Sequence, residues 1–237
     1  MTDAQRIGTV FIISAPSGSG KTTLTNELLR LVPDLNFSIS YTTREPRGSE
    51  QNGREYFFVS RQEFEEMLRN GEFLEHADVF GNLYGTARRF LEQATRQGKD
   101  LLLDIDVQGA QQVKQKMPEA VSIFILPSSR DVLERRLRNR SQAEHVTSEE
   151  VIRRRLEEAA REIEKYPNYD YILVNDRLDE SIDQLKAIVL AERSKRSNVS
   201  PDEEMLARAN SCLLDHVQER ARQIFESFGL APASQYK

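Results

Sequence analysis

Cysteine, histidine and long apolar runs are what this sequence is short of, and each shortage removes a class of function. Cys212 is the only cysteine among 237 residues, which excludes an intramolecular disulfide and a zinc site built on cysteines. His76, His145 and His216 are too dispersed along the chain to replace them. A reducing, cytoplasmic setting is the expectation. No apolar run approaches the length that spans a bilayer, and residues 1–6 lack the apolar core of a signal peptide, so no membrane partner is expected. An excess of positive charge is missing too. With 33 Lys and Arg against 38 Asp and Glu, the net charge is −5, which argues against a dedicated nucleic-acid binder and for small partners. There is no internal repeat.

What is present is 38% apolar content, enough for one sizeable core. Apolar runs over residues 9–13, 101–105, 121–126 and 171–174 read as buried strands, with helical patterns between them. That alternation predicts an α/β fold with a parallel sheet covered by helices. Ser60 with Glu63 forms a capping-box pattern, closed by Gly71, and Thr147 with Glu150 repeats it. Gly98 closes a helix that starts near Thr86, Ser129-Arg130-Asp131 opens another, and a last core helix spans about 179–196. Between the first helix and residue 101 the texture changes to short half-exposed strands (37–41, 56–59 and 73–80) among loops rich in Arg, Gly and Asn. An arginine-rich helical stretch covers 130–161. A linker at 197–201 then leads into one long amphipathic helix, with Ser200 as cap and Pro201 at its first position. Leu206, Leu213, Val217, Ile224 and Phe228 form its stripe and Gly229 its end.

The most informative stretch is 14–23, Ser-Ala-Pro-Ser-Gly-Ser-Gly-Lys-Thr-Thr, between an apolar strand and a helical pattern. Strand, glycine loop and helix start together make a phosphate cradle: Ala15, Ser17, Gly18, Ser19 and Gly20 present backbone N–H groups, Pro16 shapes the loop without donating, and Lys21 reaches the outer phosphates. The Thr22 hydroxyl suits magnesium, with Thr23 beside it. Ala15 holds the place where a glycine is usual, and its methyl group matters only if φ there must be positive. Such a loop predicts a nucleoside triphosphate ligand. A second anion site is expected where Arg44 and Arg47 flank Pro46, with hydroxyls before them and Tyr56 after, because guanidinium groups bind phosphate bidentately. Asp104 ends an apolar run where nucleotide-binding sheets place a carboxylate near magnesium, and Asp106 follows on the same face. Either suits the metal or the substrate.

Thr42-Thr43-Arg44, Arg47, Glu50, Gly53, Tyr56 and Phe58 stand at the spacing of a family signature. With residues 14–23, 73–75, 81–86, 103–109 and 169–176, the sequence resembles the guanylate kinases over about 8–196. Ser49 stands where the family commonly has glycine, Thr86 where many members have serine, and the turn 141–147 is longer than usual.

The resemblance implies a core at 1–36, 91–128 and 163–197, a GMP-binding insertion at 37–90 and a lid at 129–162. Residues 198–237 form a C-terminal helical extension outside it. It implies further that Arg44, Arg47, Tyr56 and Tyr84 hold the GMP phosphate and that Ser40, Glu75 and Thr86 contact the guanine. Asp104 and Asp106 would line the GMP side and the magnesium region, and Arg136, Arg140 and Arg155 would be lid arginines. A carboxylate at Glu75 accepts from guanine N1–H and N2–H₂ together, whereas adenine would set a lone pair against it. The implied reaction is ATP plus GMP giving ADP plus GDP, by in-line transfer with magnesium and with dGMP as a further acceptor. Relatives of this fold that only bind phosphopeptides lack the loop lysine, and Lys21 is present. The terminal helix is read either as packing on its own chain or as pairing with a second copy.

Overall fold

A computed structural model describes residues 8–79, 81–143, 148–197 and 199–230. The strands are β1 (Val10–Ser14), β2 (Leu35–Ser38), β3 (Tyr41–Thr42), β4 (Phe57–Phe58), β5 (Phe73–Val79), β6 (Asn82–Ala87), β7 (Asp100–Asp104), β8 (Val121–Pro127) and β9 (Tyr171–Asn175). The helices are α1 (Lys21–Leu31), α2 (Arg61–Arg69), α3 (Arg88–Gln97), α4 (Val107–Lys116), α5 (Arg130–Ala143), α6 (Glu149–Ile163), α7 (Leu178–Ser197), α8 (Glu203–Asn210) and α9 (Leu214–Ser227). A five-stranded sheet runs in the order β2-β7-β1-β8-β9 and a four-stranded one in the order β4-β3-β6-β5. Every residue of β1, β8 and β9 is buried, as strands covered by helices on both faces require. This is the α/β fold that the apolar runs predict. The chain falls into two compact units, Met1–Ile13 with Val32–Val121 and Ser14–Leu31 with Ser122–Lys237.

In the first unit, β2 and β1 flank β7 in parallel register. The edge strand β2 belongs to the parallel sheet, so Phe37 and Ser38 leave the inserted region to which 37–41 were assigned, while Tyr41 stands in the second sheet; Phe37 is half-exposed because it lies at a sheet edge. The second sheet pairs β3 with β4 in parallel and β6 antiparallel with both β3 and β5. Tyr41, Phe64, Phe73 and Ala87 form its core. Helix α2 carries the expected capping box from Ser60 and Glu63, and α3 begins at Arg88, two residues after the expected start, closing on Gly98 with φ 63°.

In the second unit, α5 and α6 form a hairpin around Leu133, Leu137, Ile152, Leu156 and Ala159. The α6 cap is Ser148, and the cap expected at Thr147 lies outside the described residues. The C-terminal extension is not one helix. It breaks between α8 and α9, and its N-cap is Asp202, whose carboxylate accepts from Glu204 N–H, rather than Ser200. The break has a tertiary cause. Edge strand β9 would otherwise leave backbone groups open, and Ile172 N–H donates to the Cys212 carbonyl at 2.7 Å while Tyr171 and Leu213 form an antiparallel bridge. Covering an edge this way removes a template for intermolecular pairing. The α9 stripe buries Val217, Ala221, Ile224 and Phe225, with the Phe225 and Tyr166 ring centroids 4.6 Å apart. In the structure the stripe packs on its own chain. No described helix is long and apolar enough to cross a membrane.

Candidate functional site

The glycine loop lies between β1 and α1, and its shape is set by close approach. Gly18 and Gly20 have φ of 91° and 89°, a region that side chains avoid. A Cβ on Gly18 would stand 3.1 Å from Leu133 on α5, and one on Gly20 would stand 2.4 Å from Asn175 Nδ2. Ala15 has no such demand: among the described residues other than glycine, only Asp34 has positive φ. The methyl group is therefore harmless. Asn175, at the end of β9 and 3% exposed, donates to the Ser19 carbonyl at 2.7 Å. Arg136 on α5 donates to the same carbonyl and to that of Asn175, each at 3.4 Å. Burial holds the Arg136 pKa below its usual value, and Arg135 adds to this. Thr22 and Thr23 are exposed on the first turn of α1, and Lys21 is half-buried.

Arg140 is exposed one turn beyond Arg136 on the same helix, and Arg155 on α6 donates to Ser141 Oγ at 3.2 Å. The neighbouring arginines differ in kind. Arg138 is tied to Glu134 and Glu149, and Arg153 to Glu157, as ordinary surface helix pairs are. Sequence reasoning missed Asn175 as a loop-holding residue. Its one signal is a polar residue ending a fully buried strand, where ligand-facing groups of parallel sheets stand.

The other cluster lies in the first unit. Arg44, 8% exposed, donates from its two terminal nitrogens to both oxygens of Glu50 at 3.0 and 3.1 Å and from Nε to the Tyr84 hydroxyl at 3.1 Å. Its guanidinium also faces the rings of Tyr56 and Phe58. Glu50 accepts the Arg47 backbone N–H at 2.8 Å as well. Burial alone would raise the Glu50 carboxyl, but the Arg44 and Arg47 hydrogen bonds outweigh it and hold the pKa below the usual value. The Arg47 side chain is exposed. The sequence pattern contains Glu50 without giving it a role, and the structure makes it the clamp that orients Arg44.

Two of the three residues expected to meet a base face each other across two strands, Glu75 on β5 and Thr86 on β6. Ser40, also buried, directly precedes β3, whose Tyr41 pairs with Gly85 on β6. Glu75 is 3% exposed and Thr86 1%. Burial pushes the Glu75 carboxyl up to about 7; the nearby Thr86 hydroxyl acts against this and the Asp106 charge adds to it. The Thr86 hydroxyl itself has no partner at hydrogen-bonding geometry. His76 is exposed on the other face. Asp104 ends β7, and Asp106 caps α4 by accepting Gly109 N–H at 2.8 Å.

A family model described as "Guanylate kinase" matches residues 8–192. The chain belongs to the guanylate kinase family. Among curated members, a guanylate kinase of Koribacter versatilis is 58% identical over 224 residues, covering 93% of this chain and 96% of the relative. One of Escherichia coli strain K12 is 52% identical over 192 residues, covering 80% and 91%. The crystal structure of guanylate kinase from Anaplasma phagocytophilum superposes with a TM-score of 0.66 at 38% identity, covering 79% of this chain and 87% of that one. The family match ends near the C-terminus of α7, so α8 and α9 lie beyond it.

Proposed function

We propose that the chain carries out its family's reaction, ATP plus GMP giving ADP plus GDP, with dGMP as a second acceptor. The observation that carries the guanine assignment is the pairing of Glu75 with Thr86, both buried, with Ser40 buried just before β3. A buried carboxylate beside a buried hydroxyl suits a ligand edge that offers adjacent N–H donors. Adenine offers a bare N1 there and would leave the carboxylate unpaired.

The donor triphosphate is held by the backbone N–H groups of residue 15 and residues 17–20, the helix N-terminus of α1 and Lys21. Arg44, fixed by Glu50, takes the acceptor phosphate together with Arg47, Tyr56 and Tyr84. One oxygen of the acceptor phosphate attacks the γ-phosphorus as the bond to the β,γ-bridging oxygen breaks and ADP leaves. No protein base is needed, since a phosphate monoester has a second pKa of about 6 and is ionised at neutral pH. Arg136, Arg140 and Arg155 neutralise charge spread over the oxygens of the transferring group.

Among the described residues no cluster of three or more carboxylates, histidines or cysteines could hold a metal. That fits magnesium, which keeps most of its waters and takes one or two protein ligands along with substrate phosphates. Thr22 would hold it, and when bound it supplies charge neutralisation on the triphosphate. The test is ADP formation from ATP and magnesium with GMP, dGMP, AMP, CMP, UMP and dTMP in turn. Turnover confined to GMP and dGMP is expected, and efficient turnover of AMP would overturn the assignment of Glu75.

A further inference from the structure

Strand β5 carries Glu75 and is the last strand of its sheet, so the backbone groups on its outer side have no strand to bond. They are bonded to a helix instead. Gln108 Nε2 donates to the Asp78 carbonyl at 3.3 Å, Gln112 Nε2 to the His76 carbonyl at 2.6 Å, and Lys116 Nζ to the Leu74 carbonyl at 2.5 Å. Gln112 Oε1 also accepts the His76 N–H at 3.2 Å. The match is metrical. Four residues of helix advance about 6 Å and two residues of strand about 6.6 Å, so side chains at 108, 112 and 116 meet carbonyls at 78, 76 and 74 rung by rung. Helix α4 stands in for the missing strand and fixes the register of the stretch that holds Glu75.

The same helix makes room for the carboxylate. Gly109 lies in the first turn of α4, and a Cβ there would stand 2.3 Å from Glu75 Oε2 and 2.9 Å from its Cδ. Its backbone is helical, without the positive φ that would call for glycine, and glycine weakens a helix relative to alanine. Conformation therefore does not account for this glycine, whereas the volume taken by the Glu75 carboxylate does.

We propose that α4 is the positioning element for guanine selectivity, with Gly109 leaving the space in which the Glu75 carboxylate sits and Gln108, Gln112 and Lys116 holding its strand. This rests on the reading of Glu75 as the group that meets guanine, and Gly109 is a positioning residue that acts through it.

The test is steady-state kinetics with GMP, AMP and ATP on Gly109→Ala, Glu75→Ala and the double variant. Gly109→Ala is expected to raise the KM for GMP at least tenfold and to narrow the preference for GMP over AMP, with the KM for ATP within twofold of the parent. In the Glu75→Ala background the same change should alter the KM for GMP less than twofold, because the nearest atom left to the added methyl is then Asp106 Oδ1, at 3.4 Å, an ordinary contact. Gln112→Ala, which leaves Gly109 in place, should raise it about threefold and serves if Gly109→Ala does not fold. An unchanged KM for GMP in Gly109→Ala, or an equal loss in both backgrounds, overturns the role of α4. If Glu75→Ala itself keeps the preference for GMP, the assignment of Glu75 to guanine is what fails.

Discussion

Around the glycine loop the structure is held by backbone and by close contact: positive φ at Gly18 and Gly20, an asparagine on the Ser19 carbonyl and leucines against Gly18. Around Glu75 and Arg44 it is held by charge, with a bidentate pair, a carboxylate raised by burial and hydrogen bonds aimed at side chains. The first region should therefore tolerate changes of pH and salt while rejecting any added atom. The second should accept small changes of shape while responding to every change of charge. An anion site that must fit any nucleoside triphosphate needs only shape and N–H groups, whereas discrimination between bases needs a polar edge left unpaired by the wrong ligand.

The sharpest break on the loop side is Lys21→Met. Turnover is expected to fall about 10²- to 10³-fold, while GMP binding, measured by calorimetric titration, keeps its affinity. Turnover near that of the parent would remove the loop from the reaction. Next in size is Gly20→Ala, which drives a Cβ to 2.4 Å from Asn175 Nδ2 at φ 89°. An increase of about tenfold or more in the KM for ATP is expected. Removing the obstacle with Asn175→Ala should recover part of that loss, because the collision goes while the backbone strain stays. No recovery would mean that backbone strain, together with the lost Asn175–Ser19 hydrogen bond, outweighs the collision.

The loop side was legible because its chemistry is contiguous. Gly18, Gly20, Lys21 and Thr22 follow one strand and open one helix, so spacing alone displays the cradle. The residues proposed for the acceptor base were legible only as a family pattern, since Ser40, Glu75 and Thr86 are scattered along the chain and only strand register brings Glu75 to Thr86. Glu50 was visible as a member of the Arg44 pattern but not as its clamp, because pairing of side chains across a loop leaves no periodic trace. Two errors have the same origin. Phe37 looks half-exposed in both an insertion and an edge strand, and the α8–α9 stripe reads as continuous although Cys212 is drawn out of helix by the edge of β9. Local pattern does not report a tertiary hydrogen bond.

On the charged side, Glu50→Gln keeps the shape and removes the charge. Arg44 would lose its bidentate partner, and a rise of about tenfold in the KM for GMP is expected with the KM for ATP unchanged. A fall in the KM for GMP would show instead that Glu50 competes with the substrate phosphate for Arg44. Either way the response should be confined to the acceptor, which the shape-held loop would not show.

The gentlest probe is pH, and it separates the two regions without a mutation. Glu75 must be ionised to accept both guanine donors, and burial raises its carboxyl to about 7 from an ordinary 4.5. Below about pH 7 binding of GMP has to expel a proton, so its KM should rise up to about tenfold per pH unit and level off above 7. The KM for ATP should show no matching slope.

Stability moves the opposite way. Between 4.5 and about 7 the folded chain keeps a proton that the unfolded chain releases, so this group's contribution is complete below 4.5 and is lost as the pH rises through 7. The loss amounts to about 3 kcal/mol at most. Glu75→Gln, which has no proton to lose, should therefore melt above the parent at pH 8 in the absence of nucleotide and show no pH slope for GMP above about pH 6, where the acceptor phosphate is ionised. A variant that melts lower at pH 8 would mean that neighbouring charges and donors stabilise the carboxylate where it sits, and that burial does not set its charge state.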